Sequence, residues 1–513
     1  MSGQAMSGAM VETAAGVDFP VADDGRRSTS AFGRAVIADA LRGTDAAGAL
    51  GAEQETNWRS GYLTHFRRVI EAGLPSRQAA LAIAADGAGS LRGRMRAVLP
   101  DGDEGELDEL LTMAASRSLG TATITGAGAA EEELALPYRG ERLRGGDLAR
   151  RLEAWVGAGI IEPSCADAVR AVADHPDWLS LPGRTVAVLG AGSEIGPLPV
   201  LLRWGATVAG IDLPEPRIWE RVLQAARSGA GTLLVPVTVT PGLGGEAGHT
   251  APGQPTAEAT ADSVGADLTS EVPEVADWLA GLRGPVVLGN YVYADGAANV
   301  RVCAAADTLT LRLQAARDDV ALAFLATPTD VFAVPADAVE QSARAYGNRS
   351  ASVKLASRPL RALSGGRLLR RAYRPGSDPG ISDNLVAQQG PNYALAKRLQ
   401  RWRASLARDS GSTVSLNVAP PTRTRSVVKN RALAAAYAGA HRFGAEVFEP
   451  DTTRVLMAAL LVHDLHAEGG PAHAHPWQDE AYAAAHGGLW RIAYAPRSVL
   501  GLAALLGYGA ARS

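Results

Sequence analysis

The chain is short of the residues that mark several special classes of protein. Of 513 residues only two are cysteine, Cys165 and Cys303. That is too few for a disulfide framework and points to a reducing, cytoplasmic setting. No apolar run reaches the roughly 20 residues that a membrane-spanning helix needs, so no membrane span is expected. The start, Met1 to Ser30, is small, polar and acidic. It lacks the basic and apolar regions of a secretory signal, and residues 1–30 read as a disordered tail. Net charge is −4 and pI about 6.2, so global charge recommends neither nucleic acid nor membrane as a partner. Lysine is scarce, and no internal repeat is visible. Hydrophobic residues make up 47%, ample for a large core, and the length suggests about two to three domains.

What is present begins with Thr185-Val-Ala-Val-Leu-Gly-Ala-Gly-Ser-Glu-Ile-Gly196. Val186 to Leu189 reads as a buried parallel strand. Gly190, Gly192 and Gly196 follow, and Leu198, Val200, Leu201 and Leu202 suggest a helix packing back on the sheet. Ala206 to Asp212 reads as a second strand ending in an acid. A β-α-β unit with a glycine turn and a carboxylate about 20 residues on suits a dinucleotide. Glycines let the backbone approach a pyrophosphate, a helix N-terminus supplies N–H donors, and Asp212 accepts from ribose hydroxyls. Methyltransferases that bind S-adenosylmethionine use a similar turn and acid. A tight strand-helix turn with no ligand also fits these residues.

Residues 31–180 look mainly helical, with apolar positions three and four apart in Ser30–Leu41, Trp58–Ala72, Glu104–Ala115, Leu148–Gly157 and Ser164–Asp174. Leu119–Thr125 reads as a short strand. Pro176 and Pro182-Gly183 mark a boundary near 181, and residues 31–180 read as a packing or dimerisation domain. From 185 onward strands and helices alternate, which predicts an α/β fold with a parallel sheet covered by helices on both faces. Candidate strands are 185–189, 207–211, 232–237, 285–289, 320–326 and 413–418. Residues 240–262, rich in Gly, Pro, Thr and Ala, read as a loop. A basic insertion at about 336–390 has no acid from Ser342 to Ser377. Residues 471–513 form a C-terminal extension with a short apolar helix at 498–506.

Four later segments bear on the kind of nucleotide domain. Tyr393-Ala-Leu-Ala-Lys397 puts a lysine one helical turn from a tyrosine. There it can lower the phenol pKa, normally near 10, and reach ribose hydroxyls. Asn417-Val-Ala-Pro420-Pro421-Thr422 ends a strand in prolines that send the chain across the nicotinamide side of a cofactor site, where Thr422 or Thr424 bonds the carboxamide. Asp267 ends another strand before a helix capped by Thr269 or Ser270. Pro285-Val-Val-Leu-Gly-Asn290 is a fourth strand ending in Gly-Asn.

Taken in order over about 184–465, these pieces resemble the short-chain dehydrogenase/reductase family. Gly190-Ala-Gly-Ser193-Glu-Ile195-Gly196 stands for its glycine turn and Asp212 for the acid after strand two. Asp267 sits where the family contacts adenine, and Leu288-Gly-Asn290 replaces its Asn-Asn-Ala-Gly. Tyr393 and Lys397 match its catalytic pair, Asn417 to Thr422 its Asn-x-x-x-Pro-Gly segment, and Glu449-Pro450 the start of a late helix. The resemblance implies a Rossmann-type doubly wound parallel sheet over 181–470. It also implies NAD bound through Gly190, Gly192, Ser193, Ile195, Gly196, Asp212, Asp267, Asn290, Lys397, Pro420 and Thr422. The expected activity is hydride transfer between a nicotinamide and a carbonyl/alcohol pair on a small-molecule substrate, with Tyr393 as acid/base. The alternative is a catalytically silent dinucleotide-binding scaffold or regulatory protein. Asp212 favours NAD over NADP by repelling a 2′-phosphate, and Arg217 softens that preference. The family often forms dimers and tetramers, so a homo-oligomer is an expectation as well.

The sequence also departs from the family. The family's serine before the tyrosine is missing; Thr329 or Thr327, at the end of strand five, and Ser382 are the candidate hydroxyls. Around 310–316 there is Thr310 and Gln314 but no Asn to hold a proton-relay water. The arginine-rich insertion fits a clamp for a phosphate-bearing substrate, a solvated loop or an interface to an acidic surface. His463, His466, His473 and His475 lack a nearby Cys and a third ligand at convincing spacing, so no metal site is expected.

Overall fold

The computed structural model describes residues 15–22, 25–99, 102–238 and 259–509. Most of the expected tail and of the 240–262 loop lies outside them. Seven strands form the central sheet: β1 (Leu119–Thr125), β2 (Thr185–Leu189), β3 (Thr207–Ile211), β4 (Thr232–Thr238), β5 (Val286–Asn290), β6 (Val320–Ala326) and β7 (Val414–Val418). Their order is β7-β6-β5-β2-β3-β4-β1. Six run parallel, and β1 pairs antiparallel with β4 at one edge. The parallel strands form where they do because they are short, mostly aliphatic runs covered by helices, whereas the antiparallel edge strand β1 is rich in Thr and partly exposed.

Residues alternate between two cores across this sheet. Ala187, Leu189, Leu288 and Leu322 face one core, which holds Trp278, Leu309 and Leu399 from helices Val272–Ala280, Ala297–Ala316 and Pro391–Asp409. Val186, Val188, Val287 and Leu325 face the other, which holds Leu201, Val222 and Leu460 from helices Leu198–Arg203, Pro216–Ser228 and Pro450–His466. The result is a mixed α/β fold, mostly parallel and flanked by helices, consistent with a Rossmann-like architecture.

The boundary near 181 is crossed by both sheet and core. β1 comes from the N-terminal segment. Val36, Ile37 and Phe66, from helices Thr29–Arg42 and Trp58–Gly73, share a core with Leu399 and Trp402. Helix Arg77–Arg94 presents Gly87 to Trp402, and a Cβ at Gly87 would overlap the indole. Two local expectations are corrected. Gly16–Asp18 is not tail but a strand, paired with Arg96–Val98, and it buries Val17. Glu104–Ala115 is not an α-helix: Glu104–Glu106 is a strand and Leu107–Leu111 a single 3₁₀ turn closed by a Glu106/Glu109 capping box. One pair of apolar turns was too little material for a helix of ordinary length.

The basic insertion is ordered. It contains helices Ala336–Gly347 and Ala351–Leu363 and a strand, Gly380–Asp383, paired with Val331–Val334. Two of its arginines lie against aromatics: Arg349 over Tyr346 at 3.5 Å, and Arg371 over the same ring.

Candidate functional site

The crevice lies at the C-terminal ends of β2 and β5, where the chain reverses its direction of travel across the sheet. Gly190 has φ +85°, and a Cβ there would sit 2.8 Å from the Tyr291 carbonyl, so only glycine fits between the two strand ends. Gly190 and Ala191 donate to the Ile211 carbonyl, Ser193 to Gly190 and Gly196 to Ser193. Within the turn, Glu194 and Ile195 have backbone N–H groups with no protein acceptor among the described residues. The following helix starts only at Leu198 and has six residues, so the turn rather than a helix end must supply the donors.

Asp212 anchors this turn. Its Oδ2 accepts from Gly192 N and its Oδ1 from Leu213 N, both at 2.8 Å. Burial raises its pKa, partly offset by those two N–H donors and by Arg221. The cation that reaches the acid is thus Arg221. A carboxylate offers about four acceptor positions, so two remain for ribose hydroxyls. On the other side of the turn, Arg454 donates to the Glu194 carbonyl and Arg425 N to the Glu194 carboxylate. The residues therefore fit a dinucleotide at two points: a glycine-lined close approach with two N–H donors, and an acid beside it.

Helix Pro391–Asp409 brings Tyr393 and Lys397 to the same crevice, both partly exposed. Burial raises the Tyr393 phenol above its ordinary value, and a hydrogen bond with Thr327 opposes this. Lys397 points sideways: Nζ donates to the Leu325 carbonyl at 3.3 Å and to Gln400 Oε1 at 2.9 Å, and burial lowers its pKa. Gln400 passes the chain on to Asn290 Oδ1 at 3.1 Å. Lys397 has thus taken partners other than the phenol, and the expected lowering of the Tyr393 pKa does not occur. Thr327 in turn meets Thr329 (2.9 Å between hydroxyls), which accepts from Gln389 Nε2 at 2.6 Å.

Comparison with protein-family models, with curated proteins and with solved structures finds no match. The site has to be read from its own chemistry.

Thr329 also stands in the wall of an apolar cavity of about 80 Å³, with Tyr437, Phe443, Leu489, Ile492 and Leu500. Tyr293, on the segment after β5, meets the Tyr393 ring edge-on at 6.2 Å. Sequence reasoning missed Gln389, Gln400, Tyr293 and Tyr437. Only Gln400 left a signal, its position three residues after Lys397 on one helix face.

Other expected site residues are employed elsewhere. Ser382 donates to Asn384 Oδ1 at 3.2 Å, inside the short ribbon; the hydroxyl beside Tyr393 is that of Thr327. Asp267 Oδ1 accepts from Thr269 N and Oγ1, closing its own turn, so neither Thr269 nor Ser270 caps the next helix. The Thr422 hydroxyl is buried between the Pro420 carbonyl and Thr453 Oγ1 and cannot reach a carboxamide as it stands. Thr424 bonds Ser426. His473 pairs with Asp479 at 2.8 Å, His475 caps helix Pro476–Ala481, and His466 stacks on Trp178.

Proposed function

We propose that the protein is an NAD-dependent oxidoreductase of the short-chain dehydrogenase/reductase type, acting on an apolar carbonyl/alcohol substrate. The observation that carries the reading is the convergence of Tyr393, Thr327 and Lys397 on the crevice that begins at Gly190. The sheet supports it: without β1, the strands stand in the 3-2-1-4-5-6 order of doubly wound dinucleotide folds, and the Gly190 turn lies at their switch point. Asp212 supports NAD over NADP.

A bound nicotinamide would supply or accept the hydride. The chain's own residues do the rest. With its pKa raised, Tyr393 is held as the neutral phenol, the form that donates a proton to a developing alkoxide, which favours reduction. Thr327 and Thr329 orient that phenol and offer a second donor to the same oxygen. The cavity beside Thr329 holds the apolar part of the substrate and keeps water away.

One observation favours the silent-scaffold reading: Lys397 is turned to Leu325 and Gln400 rather than to Tyr393. Separate measurements divide the two. Both readings expect NADH binding. Only the enzyme reading expects NADH oxidation with aliphatic or alicyclic ketones and aldehydes, abolished by Tyr393→Phe. If NADH binds and no carbonyl panel is turned over, the scaffold reading stands; if Tyr393→Phe retains full activity, the role given to Tyr393 falls.

A further inference from the structure

The arginine-rich stretch of the insertion, Ser342 to Ser377, does not line the apolar cavity, which takes only Asn384 and Val386 from the insertion's end, and the middle of that stretch stands out on the surface. In helix Ala351–Leu363, Ser357 is the only buried residue among the described side chains. Val353, Leu360 and Leu363 fall seven and three residues apart and share a face, while Lys354, Arg358 and Arg361 share the largely opposite side. Leu363 is 88% exposed and Leu355 67%. Soluble surfaces scatter single leucines, but several exposed on one helix whose other side carries a row of cations mark an amphipathic interaction face. The charge along this stretch is of one sign: Arg367, Arg370, Arg371 and Arg374 follow, with no acid from Ser342 to Ser377.

A second apolar set lies beyond the end of this segment. Leu369 and Arg370 hydrogen-bond to Ser498, which leads into helix Leu500–Gly507, and that helix leaves Leu505 and Leu506 exposed. The same helix gives Leu500 and Ala503 to the wall of the apolar cavity.

We propose that helix Ala351–Leu363 and the arginines after it dock this protein onto the surface of an anionic phospholipid bilayer. An acidic protein would match the cations but gives no reason for exposed Leu355, Leu360 and Leu363. A bilayer interface takes both: leucines enter the acyl boundary while lysine and arginine side chains reach the headgroup phosphates. No described helix is long and apolar enough to cross a membrane, so the attachment is peripheral. The net charge of −4 hides this face because the acids lie elsewhere along the chain. The surface stands whether or not the crevice binds a nicotinamide.

The test is flotation of the purified full chain with vesicles of phosphatidylcholine alone or of phosphatidylcholine with phosphatidylglycerol. Binding is expected to the anionic vesicles only, and to weaken as salt is raised. Lys354→Glu/Arg358→Glu/Arg367→Glu lowers the partition coefficient by at least about a hundredfold. Leu360→Ser/Leu363→Ser lowers it about tenfold or more with charge unchanged. All five side chains are exposed, so both variants should melt like the parent. Absence of binding to anionic vesicles overturns the proposal, as does binding that neither variant changes. Capture by immobilised polyglutamate without vesicle binding overturns it in favour of an acidic protein partner.

Discussion

Helix Pro391–Asp409 carries two chemistries within three turns. Its first turns expose Tyr393 and Lys397 to the crevice, where their polar atoms find neutral partners. The next turns bury Arg398, Arg401 and Arg403. Arg401 forks onto Glu480 and also reaches Asp330, which Arg398 shares at 2.7 Å; Arg403 grips Asp307 with two bonds. Burial alone would raise Asp330, but Arg398 and Arg401 overcome it and hold the carboxyl below the usual range. Arg398 has the weaker share: burial and the neighbouring Arg401 push it down to about 10. The crevice end is thus held loosely by hydroxyls and amides, whereas the middle is clamped by fully desolvated ion pairs. A helix anchored this firmly from behind can present a mobile proton donor at its front without drifting.

The largest effect should come from breaking the clamp. Asp330→Ala leaves the buried Arg398 without a carboxylate and Arg401 with Glu480 alone, and is expected to cost about 3–5 kcal/mol in denaturant unfolding. A change below about 1 kcal/mol would show that the clamp does not hold the helix. Tyr393→Phe tests the opposite end. It should lower carbonyl reduction by about 10²–10⁴-fold while leaving unfolding nearly unchanged. A large loss of stability there would erase the distinction between the two ends.

A second buried cluster sharpens the comparison through pH. Burial would raise Glu162, but His486 and Arg491 overcome it and hold the carboxyl at about 2, against 4.5 for a free glutamate. The folded value is depressed, so its stabilisation is fully present above about 4.5 and fades as pH falls toward 2. It amounts to roughly 3 kcal/mol at most, converting that difference at 1.36 kcal/mol per unit. Melts between pH 5 and pH 3 should show the parent losing stability faster than Glu162→Gln. Equal slopes would remove Glu162 from the account. The smallest structural effect is expected at Lys397→Met, under about 1 kcal/mol, because Gln400 keeps its bond to Asn290. NADH affinity should nevertheless fall about tenfold or more.

Most strands were legible as short aliphatic runs: 119–125, 185–189, 207–211 and 320–326 appear as read, and those at 232–237, 285–289 and 413–418 shift by one residue at one or both ends. Helix positions at 29–42 and 58–73 were legible from periodicity. The burial of Arg398, Arg401 and Arg403 was not, because three arginines in a row of helix turns look like a solvated face until Asp330, Glu480 and Asp307 are brought in from distant segments. Nor was the choice among Thr327, Thr329 and Ser382, since the insertion between β6 and the tyrosine helix makes sequence spacing useless as a guide to distance. Tyr393 and Lys397 were singled out by their four-residue spacing together with the resemblance of the segments around them. What spacing hid was the direction of the lysine, which depends on Leu325 and Gln400.

Titration of the purified full chain with NADH, followed by calorimetry, tests the dinucleotide seat at Gly190–Gly196 most directly. Saturable binding is expected, tighter for NADH than for NADPH, with the preference relaxed by Asp212→Ser. Absence of binding by either nucleotide would contradict the seat and the activity built on it.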